Sequence, residues 1–158
     1  MAERIIFHID VNSAFLSWEA VERLKEGERI DLRTIPSAVG GDMATRHGVV
    51  VAKSIPAKKY NIVTGEPVIN AMRKCPNLIV VSPRHDVYKR YSKAFMDILR
   101  EYSDIVEQYS IDEAFLDVTH YLKMYKMTAR ELVTKVIHDV YDNTGITATA
   151  GIGTNLYL

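Results

Sequence analysis

A chain of 158 residues with 47% hydrophobic side chains fits one soluble globular domain, or one domain that carries a small insertion. Twenty basic and twenty acidic residues cancel, so the chain as a whole lacks the positive field that is typical of nucleic-acid binding. The single cysteine, Cys75, excludes an internal disulfide and a structural zinc site, and no apolar run approaches the ~20 residues of a membrane span. We expect a cytoplasmic protein without a membrane partner.

The first predicted strand carries an acidic residue on its open face. Residues 4–11 alternate as a strand does when one face lies on a core, with Phe7 and Ile9 on the core side and His8 and Asp10 on the other. Asp10 stands near the end of this strand. Its carboxylate is therefore expected on the face that stays free.

The segment after this strand begins with a helix and continues as an insertion. The helix starts after Asn12 or Ser13, which are both common capping residues, and runs to Leu24, with Gly27 as its end. Prolines and glycines then divide residues 28–77 into short strands and short helices. This pattern predicts an inserted subdomain.

A short strand and the clearest helix of the chain follow. The strand is predicted at 78–81 and the helix at 84–102. The helix has one apolar stripe, which is formed by Val87, Tyr91, Ala94, Phe95, Ile98, Leu99 and Tyr102.

The last third of the chain completes the fold. Two runs at 105–110 and 113–119 predict an antiparallel hairpin, and a capping box at Thr128 and Glu131 begins a helix that leads into a strand at 146–152. Without the insertion the order is strand, helix, strand, strand, helix, strand. This order predicts an α+β, ferredoxin-like fold, in which a mixed, largely antiparallel sheet has helices on one face and carries a small inserted α/β subdomain.

Three carboxylates are candidates for one site on the free face of this sheet. Glu113 faces the open side because Ala114 and Leu116 belong to the alternating apolar face of its strand. In a ferredoxin-like sheet the first strand lies beside the hairpin, so Asp10 and Glu113 can meet. Regular alternation points Asp112 the opposite way. It joins the site only if the hairpin is twisted or bulged near its turn.

Converging carboxylates favour a metal site. They repel one another unless a cation lies among them, and hard oxygen ligands suit Mg²⁺ or Mn²⁺. Two ions ~3.5–4 Å apart can stabilise the attacking and leaving oxygens of a phosphoryl transfer. The alternative is that Asp112 and Glu113 belong to a solvated hairpin and that Asp10 caps the next helix. Their joint placement on one sheet face favours the metal.

Three segments resemble the Y-family translesion DNA polymerases, to which bacterial polymerase IV and the catalytic subunit of polymerase V belong. They are HIDVNSAFLSWE at 8–19, YSIDEAFLDVT at 109–119 and AGIGTN at 150–155. They occur in the family's order, and SIDEAFLD is highly specific. The resemblance implies a DNA-directed DNA polymerase that performs template-directed nucleotidyl transfer in DNA damage bypass and repair.

The resemblance also implies subdomains and partners. A palm is formed by residues 1–12 and 78–158, and residues 13–77 contain the first palm helix and the fingers. The thumb and the little finger are expected beyond residue 158, so the 158 residues alone should have little activity. The implied partners are primed template DNA, dNTP and, through the region beyond residue 158, a sliding clamp.

The family's catalytic roles match residues of this chain. Asp10, Asp112 and Glu113 are implied to be catalytic and to hold two Mg²⁺ ions, for which Mn²⁺ can substitute, with the Val11 carbonyl as a further ligand. Phe15 matches the aromatic steric gate that collides with a ribose 2′-hydroxyl. Without the resemblance, Phe15 is interpreted as a core aromatic.

Contacts with the triphosphate are implied at two places. In the segment 52–61, many members carry Tyr and Arg where this chain has Ile55 and Lys58. Lys58, which polymerase V-like members also have, supplies only a point charge, and Ser54 is a replacement donor. Lys58 fits a solvated helix face equally well, and Leu156 replaces a further expected lysine. The other contacts are backbone amides at a helix N-terminus, at Asn12, Ser13, Ala14 and Phe15.

Two other functions stay open. Nucleotide cyclases also use ferredoxin-like palms with paired acidic residues, and Gly40-Gly41-Asp42 is similar to a fragment of their signatures. This tripeptide lies in the insertion, away from the hairpin, so we interpret it as a turn. The second alternative is a catalytically silent DNA-binding module.

Overall fold

The computed structural model describes residues 3–41 and 48–154. The chain divides into two compact units, which we call the split unit (1–12 and 89–158) and the inserted unit (13–88). In chain order the elements are β1 (Ile6–Val11), α1 (Ala14–Lys25), β2 (Ser37–Gly40), β3 (Val50–Lys53), α2 (Ile55–Lys58), α3 (Val68–Lys74), β4 (Ile79–Val81), α4 (His85–Arg100), β5 (Val106–Ser110), β6 (Glu113–Asp117), α5 (Thr119–Tyr125), α6 (Ala129–Thr144) and β7 (Ala148–Gly153).

The split unit has the predicted ferredoxin-like sheet. Its four strands lie in the order β5-β6-β1-β7, and every neighbouring pair is antiparallel. Phe7 and Ile9 on β1 and Ala114 and Leu116 on β6 are buried, as their alternation predicts. β1 therefore occupies a central position, with hydrogen-bonded neighbours on both sides.

The helices of the split unit also follow the sequence pattern. Phe95 and Leu99 on α4 are buried as predicted, whereas Ala94 is exposed and Tyr88 and Met96, outside the predicted stripe, are buried. The capping box of α6 is confirmed, because Thr128 and Glu131 accept hydrogen bonds from each other's backbone amides at 3.2 Å. Gly145 ends this helix with a φ of 75°, a value that glycine adopts without strain.

The inserted unit is a three-stranded sheet with helices on both faces. β2 lies between β3, which is antiparallel to it, and β4, which is parallel. Ala38 belongs to a buried cluster with residues of α2 and α3, and the next residue, Val39, belongs to a cluster with residues of α1. All four residues of β2 are buried because both of its faces are covered.

Two details concern the inserted unit. The boundary between the compact units lies at 88/89, and β4 pairs with β2 of the inserted unit. Ser13 occupies the N-cap position of α1, but its side chain makes no capping hydrogen bond and its backbone is left-handed, with a φ of 45°.

None of the helices in the described part of the chain has the length and apolar character needed to cross a bilayer.

A buried charge network connects the first and last helical segments of the inserted unit. Glu19 on α1 is fully buried, and its carboxylate accepts hydrogen bonds of 2.9 Å from Arg84 and Arg23 and of 2.9 Å from the Tyr88 hydroxyl. Burial alone would raise the pKa of Glu19, but these donors outweigh it and the pKa is lowered. Arg84 also pairs with Glu26 at 3.0 Å.

Glu19→Gln is expected to destabilise the chain strongly at pH 7. The substitution keeps the shape of the side chain but turns an amide NH₂ toward guanidinium groups that have lost their counter-charge. Breaking a buried pair in this way costs about 3 kcal/mol or more, which urea denaturation measures. Glu28→Gln is the matched control, since its exposed pair with Arg23 should contribute less than about 1 kcal/mol. Equal losses of unfolding free energy in Glu19→Gln and Glu28→Gln would contradict the assignment of Glu19 to a buried charge network.

The pH dependence gives an independent check. The folded-state pKa of Glu19 lies below its unfolded value of 4.5, so the carboxylate stabilises the folded state at pH values above 4.5. This stabilisation is lost as the pH falls through the folded-state pKa. The stability difference between the unsubstituted chain and Glu19→Gln should therefore narrow on acidification.

Candidate active site

Asp10 and Glu113 are direct cross-strand partners in the split unit. The antiparallel register of β1 and β6 pairs Ile9 with Ala114 and Asp10 with Glu113. Directly opposed residues of an antiparallel pair project to the same face of the sheet. The predicted meeting of these two residues on one face is confirmed, near the end of β1 and at the start of β6.

The irregularity that Asp112 requires lies on the neighbouring strand. The ladder between β5 and β6 shifts between Gln108 and Ser110, which leaves Tyr109 as an extra residue. The Ser110 hydroxyl lies 2.7 Å from Asp112 Oδ1 and 3.2 Å from Glu113 Oε2. The two-residue turn that follows this bulge thus places the Asp112 and Glu113 carboxylates at one hydroxyl.

His8 and Phe115 form the floor beside these carboxylates. They are cross-strand partners whose rings stack at 4.6 Å with an interplanar angle of 15°. His8 Nε2 lies 3.4 Å from Glu113 Oε1, and it is buried without a hydrogen-bond partner among the described residues. The sequence pattern placed His8 on this face but did not identify it, or Ser110, as part of the site.

The electrostatics of the cluster call for a cation. Burial raises the pKa of Asp10, and repulsion from Asp112 and Glu113 raises it further, while His8 offsets only part of this. The donors are hard carboxylate oxygens, which suit Mg²⁺. No three His, Cys, Asp or Glu side chains within 3–41 and 48–154 form a ready-made metal cluster.

Asn12 is held by the sheet. Its backbone amide donates to the Thr147 carbonyl at 3.1 Å, and its side chain bonds the hydroxyls of Thr147 and Thr149. The predicted contact between the Asn12 amide and a triphosphate therefore competes with a sheet hydrogen bond. The Val11 amide also has a hydrogen-bond partner in the split unit. It donates to the Asp112 carbonyl at 2.9 Å and so holds the hairpin turn against β1.

In the inserted unit, Phe15 lies in the first turn of α1 within an aromatic cluster. Its ring stacks on Tyr88 at 4.7 Å and also contacts Trp18 and His85. Phe15 is only partly buried, unlike Trp18 and Tyr88. The ring is thus held rigidly by its neighbours while part of its surface stays accessible.

The predicted triphosphate residues of α2 have different surroundings. The Ser54 hydroxyl is buried, donates to the Ile35 carbonyl at 2.8 Å, and accepts from the amides of Ser37 and Ala57. It has no proton left for a phosphate oxygen, which argues against the predicted role. Lys58 is exposed at the end of α2. The predictions that concern Asp42, Asn155 and Leu156 lie outside the described residues.

A ferredoxin-like sheet with Asp10 and Glu113 paired on its free face, joined to an inserted unit, is an architecture that known proteins share. The model of the impB/mucB/samB family matches residues 9–158. The chain belongs to this family, and its resemblance to the Y-family DNA polymerases is confirmed.

Curated relatives and solved structures agree with this assignment. DNA polymerase IV of Clostridium acetobutylicum is 50% identical over 155 residues, which are 98% of this chain and 39% of that protein. DNA polymerase IV of Staphylococcus haemolyticus is 37% identical, over 100% of this chain and 42% of that protein. The chain thus spans about two fifths of the length of these relatives.

Among solved structures, DinB from Sulfolobus solfataricus aligns with a TM-score of 0.81 at 29% identity, over 96% of this chain and 42% of that chain. An insertion ternary complex of Dbh DNA polymerase aligns with a TM-score of 0.82 at 29% identity, over 96% and 43%.

Asp10→Asn is expected to raise the melting temperature of the metal-free chain at neutral pH. The substitution removes one charge from a cluster in which repulsion raises the Asp10 pKa. An increase of about 2–4 °C corresponds to 1 kcal/mol in a domain of this size. Adding Mg²⁺ should stabilise the unsubstituted chain and have a smaller effect on the variant, which scanning calorimetry measures. Glu101→Gln, an exposed substitution outside the cluster, is the control, and the same Mg²⁺ response in all three proteins would contradict a metal site.

Proposed function

We propose that this chain forms the palm and fingers of a DNA-directed DNA polymerase of the translesion type, with Asp10, Asp112 and Glu113 as its catalytic carboxylates. The observation that carries the proposal is the cross-strand pairing of Asp10 with Glu113, joined by Asp112 through the Ser110 hydroxyl that both Asp112 and Glu113 contact. The split unit corresponds to the palm and the inserted unit to the fingers. The relatives named DNA polymerase IV support this function over a nucleotide cyclase or a silent binding module.

The proposed reaction is attack of a primer 3′-hydroxyl on the α-phosphorus of a dNTP, with pyrophosphate as the leaving group. This chemistry depends on positioning and charge stabilisation and needs no covalent intermediate. Asp10, Asp112 and Glu113 would hold two Mg²⁺ ions, for which Mn²⁺ can substitute, with the Val11 carbonyl as a further ligand. Bound there, the metal supplies positive charge against the phosphoryl oxygens.

The protein's own contribution is a fixed set of carboxylates. The β1–β6 register sets the spacing of Asp10 and Glu113, and Ser110 orients Asp112 through its 2.7 Å hydrogen bond. Stacking of His8 on Phe115 fixes the floor of the site and holds His8 Nε2 3.4 Å from Glu113 Oε1. A preorganised first shell of this kind avoids reorganisation when charge develops in the transition state.

The dNTP is proposed to contact the inserted unit. The first-turn amides of α1 have no intrahelical partners and favour anions, so Ser13, Ala14 and Phe15 are candidates for the triphosphate. Lys58 is a second candidate, as an exposed point charge. Phe15 is the proposed steric gate, since its stacking on Tyr88 fixes the ring that would meet a 2′-hydroxyl.

The remaining assignments concern the whole protein. Primed template DNA is the proposed macromolecular substrate, a sliding clamp is a further partner, and the cytoplasm is the proposed location. The curated relatives named above carry the name DNA polymerase IV, which gives no support to the polymerase V branch that Lys58 indicated.

Primer extension tests the carboxylates directly. In the complete polypeptide that carries these residues, Asp10→Ala and Glu113→Ala should each reduce extension of a primed template by roughly 10²–10³-fold or more, as for loss of a principal charge-stabilising group. Glu101→Ala removes an exposed carboxylate of the split unit and should leave the rate unchanged. Extension that survives either active-site substitution would refute the assignment, and the 158 residues alone should extend poorly.

Phe15→Ala should admit ribonucleotides. Removing the ring opens the space that a 2′-hydroxyl needs, so the ratio of kcat/KM for dNTP over rNTP should fall by at least about tenfold. Phe15→Tyr keeps the ring and should keep the discrimination. An unchanged ratio in Phe15→Ala, with dNTP incorporation intact, would remove the steric-gate role.

A further inference from the structure

A groove runs between α4 and the β5 edge of the split-unit sheet. It has a volume of about 560 Å³, and its helical wall carries Lys89, Lys93 and Arg100. These residues are four and seven positions apart, so they lie on nearly the same face of the helix. The groove ends at Ser110 and Ile111, and Asp112 is the next residue. We call this feature the α4–β5 groove.

The groove concentrates positive charge in a chain that is neutral overall. Three basic residues line it and no acidic residue does. Asp97 lies outside the lining and offsets part of this charge, at 3.3 Å from Lys93 and 3.0 Å from Arg100. The side chain of Lys93 is nevertheless 79% exposed, and Lys89 has no ion pair among the described residues. Mobile, solvated cations of this kind attract a polyanion.

An exposed aromatic ring lies on the opposite wall. Tyr109 is the bulged residue of β5, it is 71% exposed, and its ring meets Phe115 edge to face at 5.8 Å. This contact holds the ring against the sheet, and most of its surface stays exposed. Interleaved cations and an accessible aromatic ring are the combination that binds the backbone and a base of a single nucleic acid strand.

The edge strand could instead accept a peptide as an added strand. β5 is an edge strand of the sheet, which is the general requirement for such pairing. The Tyr109 bulge argues against it, because the extra residue breaks the regular row of edge donors and acceptors. A neutral peptide backbone would also gain little from three cations.

We propose that the α4–β5 groove binds the sugar–phosphate backbone of a DNA strand, with Lys89 and Lys93 on phosphates and a base stacked on Tyr109. Ser110 and Ile111 line the groove and immediately precede Asp112 in the chain, which places the groove beside the hairpin that carries Asp112 and Glu113. This inference rests on the proposed function and adds a DNA-binding surface to it.

Fluorescence anisotropy with a labelled oligodeoxythymidine of ~16 nucleotides tests the groove. The 158-residue chain is titrated in EDTA over a range of salt concentrations. In Lys89→Ala/Lys93→Ala the affinity at low salt should fall about tenfold, and the slope of log K against log salt should become shallower by about 0.7 for each lost phosphate contact. Lys123→Ala/Arg130→Ala removes two exposed cations from the same unit outside the groove and should change neither value.

Tyr109→Ala separates stacking from charge. Its affinity should fall by roughly five- to hundredfold, the range for loss of one stacked base, with the salt slope unchanged. Circular dichroism of each variant verifies that the fold is intact. A fall in affinity with an altered salt slope would contradict stacking at this ring.

Three results would overturn the proposal. The first is no measurable binding of the oligonucleotide by the unsubstituted chain at low salt. The second is an equal loss of affinity in the groove variant and the control variant. The third is protection of the β5 amides from hydrogen exchange by an uncharged extended peptide but not by the oligonucleotide. Loss of nucleotidyl transfer alone tests the proposed function separately, since Asp10→Asn should retain groove binding in EDTA.

Discussion

The hydrogen-bonded register of β1 between β6 and β7 is the constraint on which the split unit depends. Both neighbours are antiparallel, so each residue of β1 has a fixed partner on either side. A slip of one residue would turn Asp10 to the helical face and Ile9 to the open face. Burial of Phe7 and Ile9 opposes that slip. The apolar core therefore fixes the geometry of the charged site through the pleat of a single strand.

The hairpin of β5 and β6 departs from a regular antiparallel ladder at Tyr109. Asp112 lies in the turn before β6 and Glu113 is the first residue of β6, yet both carboxylates reach the Ser110 hydroxyl. The extra residue Tyr109 lies on β5 immediately before Ser110, and its ring is exposed. A local irregularity at a sheet edge thus serves the charge cluster and the adjacent surface together.

Much of this arrangement follows from local sequence pattern. Alternation places Asp10 and Glu113 on one face, and the demand for an irregular hairpin at Asp112 follows from the same rule. The pairing of the strand at 79–81 cannot be predicted in this way. The sequence pattern defines a strand, but it does not identify the distant strand with which it pairs. The Ser54 hydroxyl is a similar case. Its acceptor, the Ile35 carbonyl, is 19 residues away, and only the folded inserted unit brings the two together.

The buried Glu19 network has a consequence for the evolution of the chain. Glu19 lies near the start of the inserted unit and Arg84 and Tyr88 lie at its end, so their hydrogen bonds hold the entry and exit of the polypeptide close together. A segment whose ends are tied within itself can be exchanged between related proteins without stretching its host, as in tolerated domain insertions. The hydrogen bonds of Glu19 thus link the two ends of the inserted unit within that unit, as such an exchange requires.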